Sequence, residues 1–262
     1  MIWSEFDLML LVPALLAGVL VVSTHVPLGQ EVLKRGIIFI DLAIAQIAAL
    51  GVIAAIVFGG ELASWQTQLF AGLSALSGAL LIHRLEQSHR QNLEALIGLL
   101  FVLSASAGMI LVSYAPHSDE LLHNLLVGQI LWVNNDQLLW VAALYIPLLI
   151  TWFSIDIRQR PIIFYLVFSL AITASVQLVG IYLVFASLII PALVSHSIVQ
   201  QKNKLMVAYI IGLSGYFVGL TASFILDLPT GAITVWSLLF VALLAKIFMH
   251  KPPAVKPESN CK

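Results

Sequence analysis

"RGIIFIDLAIAQIAALGVIAA", residues 35–55, decides how the rest of the chain reads. Beyond its leading arginine, only Asp41 and Gln46 interrupt the apolar run. About 20 apolar residues cross the ~30 Å of bilayer hydrocarbon, so this stretch is a transmembrane helix that keeps a carboxylate. Such a group costs ~2.5–3.5 kcal/mol at mid-helix on insertion scales, which marks Asp41 as a candidate for a polar path. Asp41 is also only about five residues from the basic end, ~7.5 Å at helical rise. From there it could reach interfacial water or pair with Lys34 or Arg35. Gln46 follows five residues later, some 140° round a regular helix at about 100° per residue. The two face one ion only if a π-bulge intervenes; otherwise Gln46 reads as a hydrogen-bonding contact to a neighbouring helix.

The whole chain has the same character. Of its 262 residues 61% are hydrophobic and 10% charged, and mean hydropathy is +1.03. Soluble domains carry about a quarter charged residues, so the expectation is an all-α polytopic membrane protein. Nine apolar segments stand out, roughly 8–23, 36–58, 64–82, 93–114, 137–155, 161–177, 180–196, 205–226 and 231–249. The pair meeting at Gly180 reads either as two short spans or as a broken pair. With the N-terminus outside, all twelve Lys and Arg fall in cytoplasmic loops or the tail. The opposite loops then hold Glu5, Asp7, Glu61, Asp119, Glu120, Asp136 and Asp227 with no base, as the positive-inside rule requires. Residues 1–249 are expected to form one transmembrane domain, and 250–262 a polar cytoplasmic tail. Met1–Asp7 lacks a basic n-region, so no cleaved signal peptide is expected. The lone Cys261 excludes an intramolecular disulfide. No glycine-rich phosphate loop ending in Gly-Lys-Ser/Thr occurs, so any ATPase that drives transport is another chain.

Two further places hold candidate chemistry. The outer loop "YAPHSDELLHN", residues 114–124, carries His117, Asp119, Glu120 and His123, donor types that Zn²⁺ and similar ions accept. Their spacing matches no fixed zinc signature, and a solvated loop leading into a helix cap explains them too. On the inner face, His83, Glu86, His89 and Glu94, with His25 and His196 at other span ends, read as a polar elbow or a metal exit site. Gly72, Gly78 and Ala79 thin out the third span, as close helix packing asks.

Three stretches carry a resemblance. "LGQEVLKRGIIFIDLAIAQIAALG", "LEALIGLLFVLSASAGMILVS" and the closing pair "LVGIYLVFASLIIPALVSH" and "LDLPTGAITVW" together resemble the permease subunits of zinc/manganese/iron ABC importers, the metal-chelate-type family. Lys34, Arg35 and Asp41 match its basic pair and span acid, Glu94 and Gly98 its acidic-x-x-x-Gly segment. Two departures stand out. The family's glycine and histidine flanking that acid are Ile40 and Ala45 here, and its connection between the spans ending near Phe153 and starting near Pro161 is shortened to "SIDIRQRP".

The resemblance implies a non-enzymatic permease of the bacterial inner membrane. A transported divalent ion, zinc or manganese, would be the only metal involved, with no covalent cofactor. The ion would pass Asp41, Gln46 and Glu94, with His117, Asp119, Glu120 and His123 at the entrance. Implied partners are two cytoplasmic ABC ATPase subunits, an extracytoplasmic metal-binding protein, a second permease protomer and the lipid bilayer; no nucleic acid is expected. The alternative, favoured by the two departures, is an accessory membrane subunit without a complete pathway of its own.

Overall fold

The computed structural model describes residues 5–59, 64–114, 130–155, 157, 160–196 and 201–249. Among them are nine α-helices and no strand. They are α1 (Glu5–Arg35), α2 (Ile40–Gly59), α3 (Ser64–Ser88), α4 (Leu93–Val112), α5 (Asn135–Ser154), α6 (Pro161–Val179), α7 (Ile181–Ser195), α8 (Gln201–Leu226) and α9 (Thr230–Met249). Eight are long and apolar enough to span a bilayer; α7, with 15 residues, is shorter. The protein is thus an all-α, multi-pass membrane protein.

Most boundaries fall within a few residues of the hydropathy minima, but α1 does not. It continues twelve residues past position 23, through Thr24, His25, Gln30 and Glu31, all buried. Hydropathy scores a helix as though lipid surrounded it. Here other helices sheathe α1, and they supply partners that lipid cannot. Pro27 shows how. Its missing N–H leaves the Ser23 carbonyl without the usual i+4 donor, and the Tyr209 hydroxyl of α8 donates to that carbonyl at 2.9 Å. His25, expected at a span end, is therefore fully buried inside α1, its Nδ1 3.2 Å from Thr24 Oγ1.

Helix α1 packs against α5, α6, α7 and α8, while α2 packs against α3 and α4; α6 touches both groups and is the most buried span. Small residues permit the approach. A side chain at Gly29 of α1 would collide with the Leu188 carbonyl oxygen of α7, so there one helix lies on the other's backbone. Several polar groups inside this core are bonded locally or across helices. The Ala171 carbonyl, for example, accepts from Tyr145 Oη of α5 at 3.0 Å and from Ser175 Oγ at 2.9 Å.

The 161–196 pair is two helices joined by one residue. Gly180 sits at φ 80°, a conformation that side-chain-bearing residues avoid. Its N–H donates to the Val176 carbonyl at 2.8 Å, closing α6, and its carbonyl accepts from Val184 at 3.1 Å, opening α7.

Candidate functional site: a carboxylate pair beside a polar vestibule

Helix α1 stops at Gly36 for a readable reason. Gly36 takes φ 69°, its N–H donates to the Leu33 carbonyl at 3.3 Å and the Ile37 N–H to the Val32 carbonyl at 3.3 Å. This is a Schellman ending, with glycine in the left-handed position and an apolar pair, Val32 and Ile37, buried across it. Ile38 and Phe39 complete the turn, and α2 begins at Ile40.

The helix starts later than the span expected from residue 36. Asp41 is the second residue of its helix, closer still to the basic end than the expected five residues. It is 1% exposed. Neither carboxylate oxygen has a hydrogen-bond partner; the first-turn amides of Asp41 and Leu42 lie close without bonding geometry. Its nearest charge is the Glu94 carboxylate in the first turn of α4, close enough for the two to repel. Glu94 is half satisfied. Its Oε1 accepts from the Phe39 amide at 3.1 Å, across 55 residues of sequence, while its Oε2 is buried with no partner. Both acids lie near helix N-termini, whose unpaired amides and dipoles favour negative charge by ~0.3–1 kcal/mol. That is far below the several kcal/mol needed to desolvate a carboxylate. Two adjacent acids that lack a base must be neutralised by a proton or a cation.

Neither candidate base is free to do it. Arg35 Nε meets Glu31 Oε1 at 3.1 Å, its Nη1 lies 3.7 Å from Glu86 Oε1, and its guanidinium covers the Phe164 ring at 4.4 Å. Lys34 Nζ lies 3.7 Å from Glu31 Oε2. Arg35 thus ties the ends of α1, α3 and α6 together and leaves Asp41 alone.

Outside the turn opens a polar cavity of about 690 Å³. Glu31, Arg35, Glu86 and Glu94 contribute acid and base to its wall, Gly36 and Ile37 present the turn, and Arg90 and Gln91 come from the α3–α4 elbow. Glu94 lines the cavity and its charge acts on Asp41. His83 Nε2 is 3.1 Å from Gln87 Nε2 and its Nδ1 is 3.9 Å from Glu86 Oε2; His89 is exposed in the elbow. Among the described residues no three His, Cys, Asp or Glu converge as a metal site.

The other expected residues are placed less centrally. Helix α2 is regular from Ile40 to Gly59, without a π-bulge, so Gln46 points away from Asp41 and is half-buried. His117, Asp119, Glu120 and His123 lie outside the described residues. Sequence reasoning did not find the Arg35–Glu86 tie or the use of the Phe39 amide. The first had a partial sign in Glu31, four residues before Arg35 and followed by the helix-stopping Gly36. The second had none.

The ABC 3 transport family matches residues 7–158 and 152–249 of the chain. The chain is 26% identical over 261 residues to the manganese transport system membrane protein MntC of Listeria innocua, covering 91% of this chain and 90% of that protein. It is also 26% identical, over 91% of its length and 86% of the relative's, to the protein of the same description in Halalkalibacterium halodurans. The fold is similar to a chain of PsaBC from Streptococcus pneumoniae solved with a Fab, at TM-score 0.72 and 19% identity, over 90% of both chains.

Proposed function

We propose, from the premise that the chain belongs to the ABC 3 transport family, that it is the permease subunit of an importer for a divalent metal ion, zinc or manganese. Membership makes it a membrane transport subunit and not an enzyme; the ion, the path and the assembly are our reading. Relatives described as manganese transport proteins support the ion class. The single observation that carries the path is the buried acid pair, Asp41 and Glu94, which has three unpartnered oxygens and no base.

In this reading the N-terminus is outside, the vestibule faces the cytoplasm, and the membrane is the bacterial inner membrane. The sorting of Lys and Arg supports that orientation. An ion delivered by an extracytoplasmic binding protein passes the outer loop with His117, Asp119, Glu120 and His123, reaches Asp41 and Glu94, and leaves through the vestibule. Carboxylate oxygens suit Mn²⁺ well and Zn²⁺ adequately. Two ATPase subunits and a second permease protomer complete the importer. The protein supplies charge and gating, with no bond made or broken.

The short Ser154–Pro161 link favours a second reading, an accessory subunit paired with a different permease. One experiment separates the two. The chain is co-purified with its candidate ATPase, and ATP hydrolysis is followed in lipid with the binding protein present and Mn²⁺ or Zn²⁺ added. An importer permease gives a stable complex with metal-stimulated hydrolysis and no second permease. Failure to capture any ATPase, or a requirement for a different permease chain, moves the assignment to the accessory role.

A further inference from the structure

We infer that the Glu94 carboxylate is a cation-operated latch on the turn Gly36–Phe39, which separates the Asp41 site from the vestibule. The inference rests on the reading that a divalent cation reaches Asp41. It goes further in saying what the cation does there.

The argument starts with one hydrogen bond. A helix N-terminus leaves its first N–H groups unpaired. At the start of α2, a side chain from another helix takes one of them, Glu94 Oε1 accepting from Phe39. The neighbouring Ile38 amide also lies close to the Glu94 carboxylate. The turn's remaining bonds run back along its own chain, Gly36 and Ile37 to the last turn of α1 and Ile40 to the Ile37 carbonyl at 3.3 Å. Phe39 is itself 46% exposed and meets Phe185 of α7 at a centroid distance of 6.4 Å, a contact that can slide. The backbone is hinged where a hinge costs least, since space is open around Gly36 and its φ is 69°.

The same carboxylate that fastens the turn is the one that faces Asp41. Its Oε2 is buried and free, so a cation arriving at Asp41 finds a ready second ligand. Coordination pulls electron density and geometry toward the ion. Oε1 then either swings to chelate the metal or weakens as an acceptor, and the Phe39 N–H loses its partner. One amide hydrogen bond to a charged group is small enough for a ligand's differential affinity for two states to outweigh it. The turn then moves, and the ion is exposed to the vestibule that Glu94 already lines. Without an ion the latch closes again, so the path does not stand open to water.

The chain offers a clean reporter. Its one cysteine is Cys261, so Cys261→Ser with Ile38→Cys leaves a single thiol, half-buried in the turn. The full chain in lipid nanodiscs is labelled with a hydrophilic maleimide, with and without Mn²⁺, and Mn²⁺ binding is measured on the same samples. The latch predicts slow labelling that Mn²⁺ accelerates about tenfold. Glu94→Gln keeps the acceptor and loses the charge, so labelling stays slow with Mn²⁺ present. Glu94→Ala removes the acceptor, so labelling is fast without Mn²⁺. If the Ile38→Cys reporter with Glu94 intact binds Mn²⁺ while its labelling is unchanged, the latch is overturned and the path is left standing. If that reporter binds no Mn²⁺, both are overturned. If the alanine variant does not fold, the glutamine variant decides alone: acceleration by Mn²⁺ equal to that with Glu94 intact rules the latch out.

Discussion

Glu31 and Asp41 stand ten residues apart, on either side of one turn, and both are buried. Glu31 is met by Arg35 and Lys34. Asp41 is met by another acid. The chemistry of the two side chains is nearly the same, so the difference lies in what each is kept for. A carboxylate joined to a guanidinium that also reaches Glu86 and Phe164 fastens three helix ends together. One left bare beside a second carboxylate adds nothing to the fold, and in the proposed function a cation fills the gap.

Substitutions can break this contrast, and the largest effect should come at Asp41. Asp41→Asn keeps the shape and removes the charge. Metal uptake in cells should fall at least about a hundredfold at unchanged membrane level, a loss of ~2.7 kcal/mol or more by the tenfold-per-1.36 relation. Thermal stability should not fall, because no partner is orphaned. Uptake within threefold of wild type would return Asp41 to a structural role.

Arg35→Ala should behave the other way round. Taking the base away leaves Glu86 without its arginine and Glu31 with Lys34 alone, with a cost of about 3 kcal/mol at a largely buried site, and a cation–π contact is lost as well. The expected result is a lower unfolding midpoint in detergent, with uptake per folded molecule reduced much less than by Asp41→Asn. Arg35→Lys should restore only part of the midpoint, since ammonium cannot address two carboxylates and lie flat on a ring.

A core substitution far from both acids calibrates these effects. Gly29→Ala puts a methyl group against the Leu188 carbonyl. Overpacking of this kind costs ~1–3 kcal/mol, seen as a lower midpoint with no change in cation affinity. Gln46→Leu should have the smallest effect, with uptake within twofold of wild type, because Gln46 is half-buried and points away from Asp41. A loss comparable to that at Asp41 would bring Gln46 back into the path.

Much of the fold was legible because lipid writes it into composition. Segments 93–114, 161–177 and 231–249 match α4, α6 and α9 closely, as isolated apolar runs with polar ends should. Helix α1 was cut short at residue 23 because a hydropathy window cannot tell lipid from protein as surroundings, and its polar second half is buried in protein. Asp41 was conspicuous for a related reason, being costly in hydrocarbon whatever surrounds it. Its lack of a base was not legible. Lys34 and Arg35 are adjacent in sequence, and only the Schellman turn and the pull of Glu86 direct them elsewhere. Glu94 was recognised as an acid opening a span. Its bond to Phe39 depends on where α4 lies against α2, which no local pattern specifies.

The central claim is that Asp41 and Glu94 lack a base because a divalent cation takes its place. The most direct test is Mn²⁺ binding to the purified protein in lipid, by isothermal titration, for wild type beside Asp41→Asn. One saturable site in the wild type, lost or weakened at least about tenfold in Asp41→Asn with the fold intact, is the predicted result. Equal binding by the two proteins would contradict the account.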